Sequence, residues 1–431
     1  MSVLDMAQAA RRAGLLLSAS GIEQRNAALH AISAALDEDK DLIFAANAID
    51  VAKATEDQLA APLLKRLVFD DKKLKEVQEG IKALVALPDP LGRTLLSREL
   101  APGLELYRVS CPIGVLGIVF ESRPDALVQI ASLALKSGNA VLLKGGKEAL
   151  HTNRALIGAI RKATASCGIG DGWAALLETH EDVAEMLKAD KDVDLIIPRG
   201  SNAFVRYIME HTHIAVMGHA EGLCHTYIDE YADLNKALRV TIDAKTQYYA
   251  VCNATETLLV HQKIASAFLP ALARELTAKH VELRGDDATR ELIDCAPATQ
   301  QDWETEYLGP VLSIKVVHDV QEAIDHINRY GSHHTDAIVT ENQQNEKLFA
   351  ALVDSADVFV NCSTRFADGY RYGFGAEVGI ATGKLHARGP VGLEGLCTYK
   401  YVLLGSGQTV EDTLKGDVVY THRELNKKYP L

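Results

Sequence analysis

The chain has no C-x-x-C pair, and its seven cysteines are an odd number. A complete disulfide framework would need an even number of cysteines, so we expect free thiols in a reducing compartment, most of them small buried hydrophobes. His211 and His213, and His219 with Cys224 and His225, lack ordered metal-ligand spacing. We therefore expect no metal site.

Long apolar runs and basic stretches are also missing. The longest uncharged apolar stretch, residues 111–120, is too short to cross a bilayer, and the N-terminus does not resemble a signal peptide. The net charge of −13 and the absence of a basic stripe argue against nucleic acid. We expect a cytoplasmic protein with neither a membrane nor a nucleic-acid partner.

The two common nucleotide-binding fingerprints are absent as well. There is no G-x-G-x-x-G after a strand and no Walker P-loop. The glycine-rich stretch at 373–379 has the wrong spacing and follows no clear strand, so a flexible loop is the better interpretation.

What is present predicts an α/β protein of two large domains, since 431 residues exceed one ordinary core. Residues 1–90 are typical of helices, and 93–112 of a protruding hairpin. Buried apolar runs then alternate with helical segments, which indicates parallel βαβ units. The predicted strands are 114–120, 140–144, 173–177, 193–197, 257–260, 311–317, 337–339 and 358–360.

One cysteine has a distinctive context. Cys252 stands in VCNATETLLV, residues 251–260, and a cysteine before a short helical turn can have its thiolate stabilised by backbone N–H groups and the helix dipole. The local pattern alone favours a buried core thiol over a nucleophile by about two to one.

Motifs spread along the chain change that balance. The segment at 251–260 resembles the nucleophile segment of the γ-glutamyl phosphate reductases, also called glutamate-5-semialdehyde dehydrogenases, a family within the aldehyde dehydrogenase superfamily. Other segments resemble this family in the same order: PIGVLGIVFESRP (112–124), LKGGKEA (143–149), IPRGS (197–201), EYLGPV (306–311), KLHARGP (384–390) and GLEGLCTYK (392–400).

The resemblance implies a fold and a division of the chain. The fold is aldehyde dehydrogenase-like, with a Rossmann-like cofactor domain, an α/β catalytic domain and a small β oligomerisation arm. We expect the cofactor domain at 1–226 with its hairpin arm at 93–112, the catalytic domain at 227–395, and an oligomerisation strand with the tail at 396–431. This superfamily binds its cofactor without the usual glycine fingerprint.

The resemblance also implies roles. Cys252 is the nucleophile that attacks L-glutamyl 5-phosphate, and NADPH reduces the thioester to L-glutamate 5-semialdehyde, a step of proline biosynthesis. Lys144 would bind the adenosine ribose and Glu306 the nicotinamide ribose. Gly200 and Ser201 would line the pyrophosphate and nicotinamide side.

Departures from the hydrolytic aldehyde dehydrogenases are informative. Gly218 occupies the position of the Glu that activates water in those enzymes, so hydrolysis of the acyl-enzyme lacks its base, with Glu221 open as a substitute. Ser122 replaces the oxyanion-hole Asn and stands beside Arg123. Tyr249 stands where the reductases carry Pro.

Charged residues suggest the cofactor and the substrate contacts. Lys147 falls where NAD-preferring relatives place a carboxylate, and a lysine there attracts the 2′-phosphate of NADP(H); the alternative is a solvated lysine at a helix start. Arg123, Arg365 and Arg388 are candidates for the α-carboxylate and the phosphate, each about equally expected as a structural ion pair.

Three alternatives remain open from the sequence: a hydrolytic aldehyde dehydrogenase, a catalytically dead cofactor-binding protein, and the reductase half of a fused kinase–reductase. Gly218 argues against the first, and the retention of Cys252, Lys144 and Glu306 argues against the second. The length and the start at Met1 favour a stand-alone enzyme. We expect a homo-oligomer, a dimer or higher, and an upstream glutamate 5-kinase as a partner.

Overall fold

The computed structural model of the chain describes residues 1–218 and 221–430, so His219 lies outside the described part. No helix in this part is long and apolar enough to cross a membrane.

Five helices occupy the N-terminal region, as its composition predicts. Ser2 and Asp5 form a capping box at the start of the first, which satisfies backbone donors that the helix itself leaves free. The helices are α1 (Val3–Ser18), α2 (Ile22–Glu38), α3 (Lys40–Glu56), α4 (Ala61–Leu67) and α5 (Asp71–Ala86).

A hairpin follows, formed by β1 (Thr94–Ala101) and β2 (Leu104–Pro112), which pair antiparallel. Gly103 has a φ of +72° in the connecting turn, a conformation that favours glycine. The predicted hairpin at 93–112 is therefore present.

The first sheet has five parallel strands in the order β5-β4-β3-β6-β7. Its three central strands are buried and, apart from Lys144 at the end of β4, apolar, as expected of a parallel sheet covered on both faces. The elements are β3 (Val115–Val119), α6 (Pro124–Lys136), β4 (Ala140–Lys144), α7 (Leu150–Ser166), β5 (Ala174–Leu177), α8 (His180–Met186), β6 (Leu195–Pro198), α9 (Asn202–Glu210) and β7 (Ala215–Val216).

The second sheet has seven parallel strands in the order β11-β10-β12-β9-β8-β13-β14. Its elements are β8 (Cys224–Ile228), α10 (Leu234–Thr246), β9 (Thr255–His261), α11 (Gln262–Ala278), β10 (Glu282–Gly285), α12 (Asp287–Arg290), β11 (Ala296–Pro297), β12 (Val311–Val317), α13 (Val320–Tyr330), β13 (Thr335–Val339), α14 (Gln343–Leu352) and β14 (Asp357–Val360).

The C-terminal segment returns to the earlier parts of the chain. Strand β17 pairs with β2 along its whole length, and β18 pairs with β1, so the arm is a four-stranded antiparallel sheet. The elements are β15 (Gly379–Ala381), β16 (Gly389–Val391), β17 (Cys397–Leu404), α15 (Val410–Lys415) and β18 (Arg423–Glu424).

Two observations change the expected domain limits. A boundary at 226 would cut strand β8, so the division between the units belongs before Cys224. The segment from Val378 to Leu396 packs in the core of the first sheet although it follows the second sheet in the chain. We therefore propose a cofactor unit that includes this returning segment.

Candidate active site

A cleft of about 880 Å³ lies between the two sheets. It faces the carboxyl ends of the first sheet, where β3 and β6 lead into Glu121, Arg123 and residues 199–203. Across it are the loop with Cys252, before the amino end of β9, and Glu306. The cleft thus joins the ends of parallel strands, where side chains from several loops can converge.

Cys252 lies in a turn between helix α10 and strand β9, with the N–H of Ala254 donating to the carbonyl of Val251 at 3.1 Å. The predicted helical turn after Cys252 is wrong, because the chain enters a buried strand two residues after Asn253. Gly222 packs against the turn: a Cβ there would come within 2.4 Å of Cys252 Cα.

The electrostatics of Cys252 also differ from the expectation of a stabilised thiolate. Burial, together with the nearby carboxylates of Glu306 and Glu377, raises the pKa of Cys252 to about 12. Its own backbone N–H and Arg199 act in the opposite direction. The sulfur is therefore a thiol in this state, and attack on a carbonyl requires removal of its proton.

A histidine that the sequence did not single out contacts this sulfur. Nε2 of His334 lies 3.2 Å from Cys252 Sγ, and the His334 side chain is fully buried. His334 directly precedes β13, so it stands at the same end of the second sheet as the Cys252 turn. The usable signal was the His333–His334 pair just before a buried strand.

The residues expected on the nicotinamide side are brought together. Gly200 and Ser201 line the cleft at the start of α9, opposite Glu306. The side-chain amide of Asn202 donates to the Glu306 carboxylate at 2.8 Å and so links the two halves of the cleft. The exposed N–H groups and positive end of α9 suit a pyrophosphate.

Lys144 and Lys147 stand farther along the same edge of the first sheet. Lys144 ends β4, is buried, and donates from Nζ to the carbonyl of Gly145 at 2.6 Å. Burial lowers the pKa of Lys144, with Glu148 and Asp182 acting against this. Lys147 is exposed at the first position of a short 3₁₀ turn that leads into α7.

The predicted substrate residues separate into two groups. Arg123 lines the cleft and pairs with Asp125 at 3.0 Å, whereas Ser122 is buried beside it. Arg365 is buried, and its Nε donates to Gln247 at 3.0 Å. Burial lowers the pKa of Arg365, and Arg371 lowers it as well, whereas the charge of a Cys252 thiolate acts in the opposite direction. This cation therefore lies within electrostatic reach of Cys252.

Arg388 is not among the residues that line the cleft with Cys252. Its guanidinium donates to the Asp354 carboxylate at 3.1 Å and to the carbonyl of Thr382 at 3.3 Å. It lines a separate apolar pocket at the base of the arm, with Pro90 and Phe374. These contacts favour a structural ion pair, the alternative that the sequence left open.

One wall of the cleft is charged, and of its residues the sequence analysis had named only Arg123. Arg123, Arg199, Asp368 and Glu377 line both the main cleft and an adjoining cavity of about 420 Å³. Both cations and acids are thus available around a ligand with mixed charge. Arg199 directly follows β6 and was hidden within the motif assigned to the cofactor.

Gly218, at the position where hydrolytic aldehyde dehydrogenases carry the Glu that activates water, is open to the cleft. Gly218 is among the lining residues, as Cys252 is. The nearby Glu221 is engaged in an ion pair with Arg206 at 2.6 Å.

Comparison with known proteins places the chain among relatives of matching length. The model of the aldehyde dehydrogenase family matches residues 1–302 and 292–401. The γ-glutamyl phosphate reductase of Acetivibrio thermocellus is 58% identical over 431 residues, which covers 100% of both chains. That of Pelotomaculum thermopropionicum is 56% identical over 429 residues, covering 100% of this chain and 99% of the relative.

Solved structures agree in fold. The crystal structure of γ-glutamyl phosphate reductase from Thermotoga maritima superimposes with a TM-score of 0.93 at 43% identity and covers 95% of this chain and 100% of its own. An engineered glycolyl-CoA reductase with bound NADP⁺ has a TM-score of 0.64 at 15% identity, covering 93% of this chain and 96% of its own, which shows a shared fold. The expected aldehyde dehydrogenase-like α/β fold is confirmed.

Proposed function

The chain belongs to the aldehyde dehydrogenase family, in its γ-glutamyl phosphate reductase branch, and we propose that Cys252 is the nucleophile of its reaction. The enzyme reduces L-glutamyl 5-phosphate to L-glutamate 5-semialdehyde and phosphate, a step of proline biosynthesis. The observation that carries the assignment of Cys252 is its place in one cleft with Glu306, Gly200 and Ser201.

The reaction begins with attack of Cys252 sulfur on the 5-carbonyl of the acyl phosphate. The C–O bond to phosphate breaks and a thioester forms on Cys252. The N–H of Cys252 and the Ser122 hydroxyl are proposed donors to the oxyanion, an effect commonly worth about 3 kcal/mol per donor. Arg123 and Arg365 are the proposed cations for the phosphate and the α-carboxylate, joined by Arg199 from the shared wall.

A nicotinamide cofactor supplies the hydride that reduces the thioester to the aldehyde. The residues present fit such a group: Glu306 offers carboxylate acceptors to a ribose, and the start of α9 offers N–H donors to a pyrophosphate. We propose Lys144 for the adenosine ribose. The exposed cation of Lys147 supports NADP(H) over NAD(H).

Gly218 supports the reductase over a hydrolytic aldehyde dehydrogenase. Gly218 lines the same cleft as Cys252 and cannot act as a general base, so a thioester there would lack a base at this position to activate water. Phosphate is then the partner for the reverse, oxidative direction.

Two partners are proposed. Strand β17 forms one edge of the arm and exposes Tyr399, Tyr401 and Leu403, which supports assembly of two or more copies through the arm. An acyl phosphate is a reactive substrate, so a glutamate 5-kinase acting immediately upstream is the proposed source.

The variant Cys252→Ser tests the nucleophile. Turnover should fall below about one tenth of the wild-type value, a loss of more than about 1.4 kcal/mol, because a hydroxyl is a far weaker nucleophile than a thiolate. NADPH binding, followed by its fluorescence, should be unchanged. Retention of more than a tenth of the turnover would assign the chemistry to another residue.

A further inference from the structure

His334 contacts the proposed nucleophile but has no role in the reaction described above. Its Nε2 lies 3.2 Å from Cys252 Sγ, and its side chain is fully buried. We propose, resting on the function proposed above, that His334 is the general base that takes the thiol proton of Cys252 when the thioester forms and returns it when the aldehyde leaves.

The hydrogen bonds around His334 make Nε2, the nitrogen that faces the Cys252 sulfur, a hydrogen-bond acceptor. The Thr335 hydroxyl donates to the Asp357 carboxylate at 3.5 Å, so its oxygen is free to accept the proton of His334 Nδ1 at 2.8 Å. With the proton on Nδ1, Nε2 carries a lone pair directed at Cys252.

Neighbouring groups leave this arrangement intact. Cys224, whose sulfur lies 3.7 Å from His334 Nδ1, donates its own proton to the carbonyl of Cys252 at 3.1 Å. The Tyr372 hydroxyl donates to the other oxygen of Asp357 at 2.6 Å and holds that carboxylate in place. The resulting chain runs from Cys252 through His334 and Thr335 to Asp357.

The nucleophile needs such a base because burial keeps its sulfur protonated, with the pKa of Cys252 raised to about 12. A thiol is a weak nucleophile, and direct loss of its proton to water at neutral pH would leave little thiolate. Transfer of the proton to His334, which is already in hydrogen-bond contact with the sulfur, avoids forming an isolated buried thiolate, because thiolate and imidazolium form as a pair.

The proton and electron balance closes over one turnover. The S–H proton moves to His334 Nε2 as the S–C bond forms and the C–O bond to phosphate breaks, with the bonding pair leaving on phosphate. Hydride from the nicotinamide reduces the thioester carbon. Cleavage of the C–S bond then expels the thiolate, which recovers its proton from His334, and phosphate takes one proton from solvent.

Alkylation of the full-length protein by iodoacetamide tests the base without any substrate. In His334→Asn and His334→Gln, the rate at Cys252 near neutral pH should fall about tenfold or more, and turnover about 100-fold, with the KM for NADP⁺ unchanged. The adjacent His333→Asn, at a partly exposed residue, makes the same change away from the sulfur and should alkylate at the wild-type rate.

Thr335 gives a second, independent readout of the same chain. Thr335→Val removes the acceptor for Nδ1–H and should slow alkylation, whereas Thr335→Ser keeps it and should react as the wild type does. Wild-type alkylation rates in a folded His334→Asn or His334→Gln protein would overturn the proposal. If alkylation depends on His334 but glutamate semialdehyde is not oxidised in the presence of phosphate, the base is supported and the proposed substrate fails.

Discussion

Gly218 is the residue at which we propose that reduction and hydrolysis diverge. A Cβ built there meets its nearest atom, the Pro198 carbonyl oxygen, at an ordinary contact distance of 3.6 Å, and its backbone does not require glycine. Gly218→Glu should therefore fold and present a carboxylate to the cleft. We expect phosphate-independent oxidation of glutamate semialdehyde to rise about tenfold over the wild-type background, less than a base in an evolved site provides.

The control for this gain is Gly218→Gln, which has nearly the same shape and no basic oxygen. The rate of NADP⁺ reduction without phosphate should stay at background in this variant. Equal rates in the Gln and Glu variants, or no gain in a folded, cofactor-binding Glu variant, would contradict the role given to the missing base.

Lys147 is the residue proposed to set the preference between NADP(H) and NAD(H). Lys147→Glu places a carboxylate where the 2′-phosphate is proposed to bind, and exchanges attraction for repulsion. The ratio of kcat/KM for NADPH over NADH should fall about tenfold to a hundredfold, and the effect should shrink in high salt.

Lys279→Glu is a matched control, since it makes the same charge change at the exposed end of α11. It should leave the NADPH preference as it is in the wild type. An unchanged ratio in Lys147→Glu would show that the 2′-phosphate binds elsewhere and that Lys147 is a solvated lysine.

Site residues that lie in recognisable motifs could be predicted from the sequence. Site residues that are defined by contacts between distant parts of the chain could not. Cys252, Glu306 and Gly200 meet in one cleft. His334, which precedes strand β13, is 82 positions from Cys252 in the chain, and a local sequence pattern does not reveal a contact between residues so far apart. Arg388 stands in an equally recognisable motif, yet its partner Asp354 could be identified only from the folded chain.

Between elements, a buried ion pair holds two parts of the cleft together. Lys245 at the end of α10 pairs with Glu256 in β9, and both side chains are fully buried. Glu256 also accepts the N–H of Leu308 at 3.2 Å, next to the loop of Glu306. The pair therefore connects the strand that follows Cys252 to the proposed ribose-binding loop.

Removing one partner should be far worse than removing both. Lys245→Met leaves the Glu256 carboxyl buried without its cation and should lower the free energy of unfolding by about 3–5 kcal/mol in urea denaturation. The double variant Lys245→Met, Glu256→Met should recover most of that loss, because no unpaired charge remains. Equal losses in the single and double variants would mean that packing, rather than charge, dominates at this site.

The elements themselves were largely predictable. Strands β4 and β12 have the predicted limits, because apolar runs bounded by proline, glycine or polar residues leave little choice of position. Strand β8 was missed. It contains Cys224, His225 and Thr226, all fully buried, whose polarity conceals a central strand.

For the whole molecule, the order of strands and helices along the chain predicted the two α/β units. It did not predict that the segment after the second sheet packs against the first sheet. The hairpin at 93–112 and an oligomerisation strand within 396–431 were expected in the arm, and they pair in one sheet. The packing of Val378 and Leu396 in the first core depends on contacts far apart in the chain, which periodicity does not encode.

The central claim for the whole enzyme is that the acyl group on Cys252 is exchanged with phosphate rather than water. The most direct measurement is the initial rate of NADP⁺ reduction by glutamate semialdehyde as inorganic phosphate is varied, with Cys252→Ser as the control. We expect a rate near background without phosphate, a saturable rise with phosphate, and no rise in the variant. A wild-type rate that is the same with and without phosphate would contradict it.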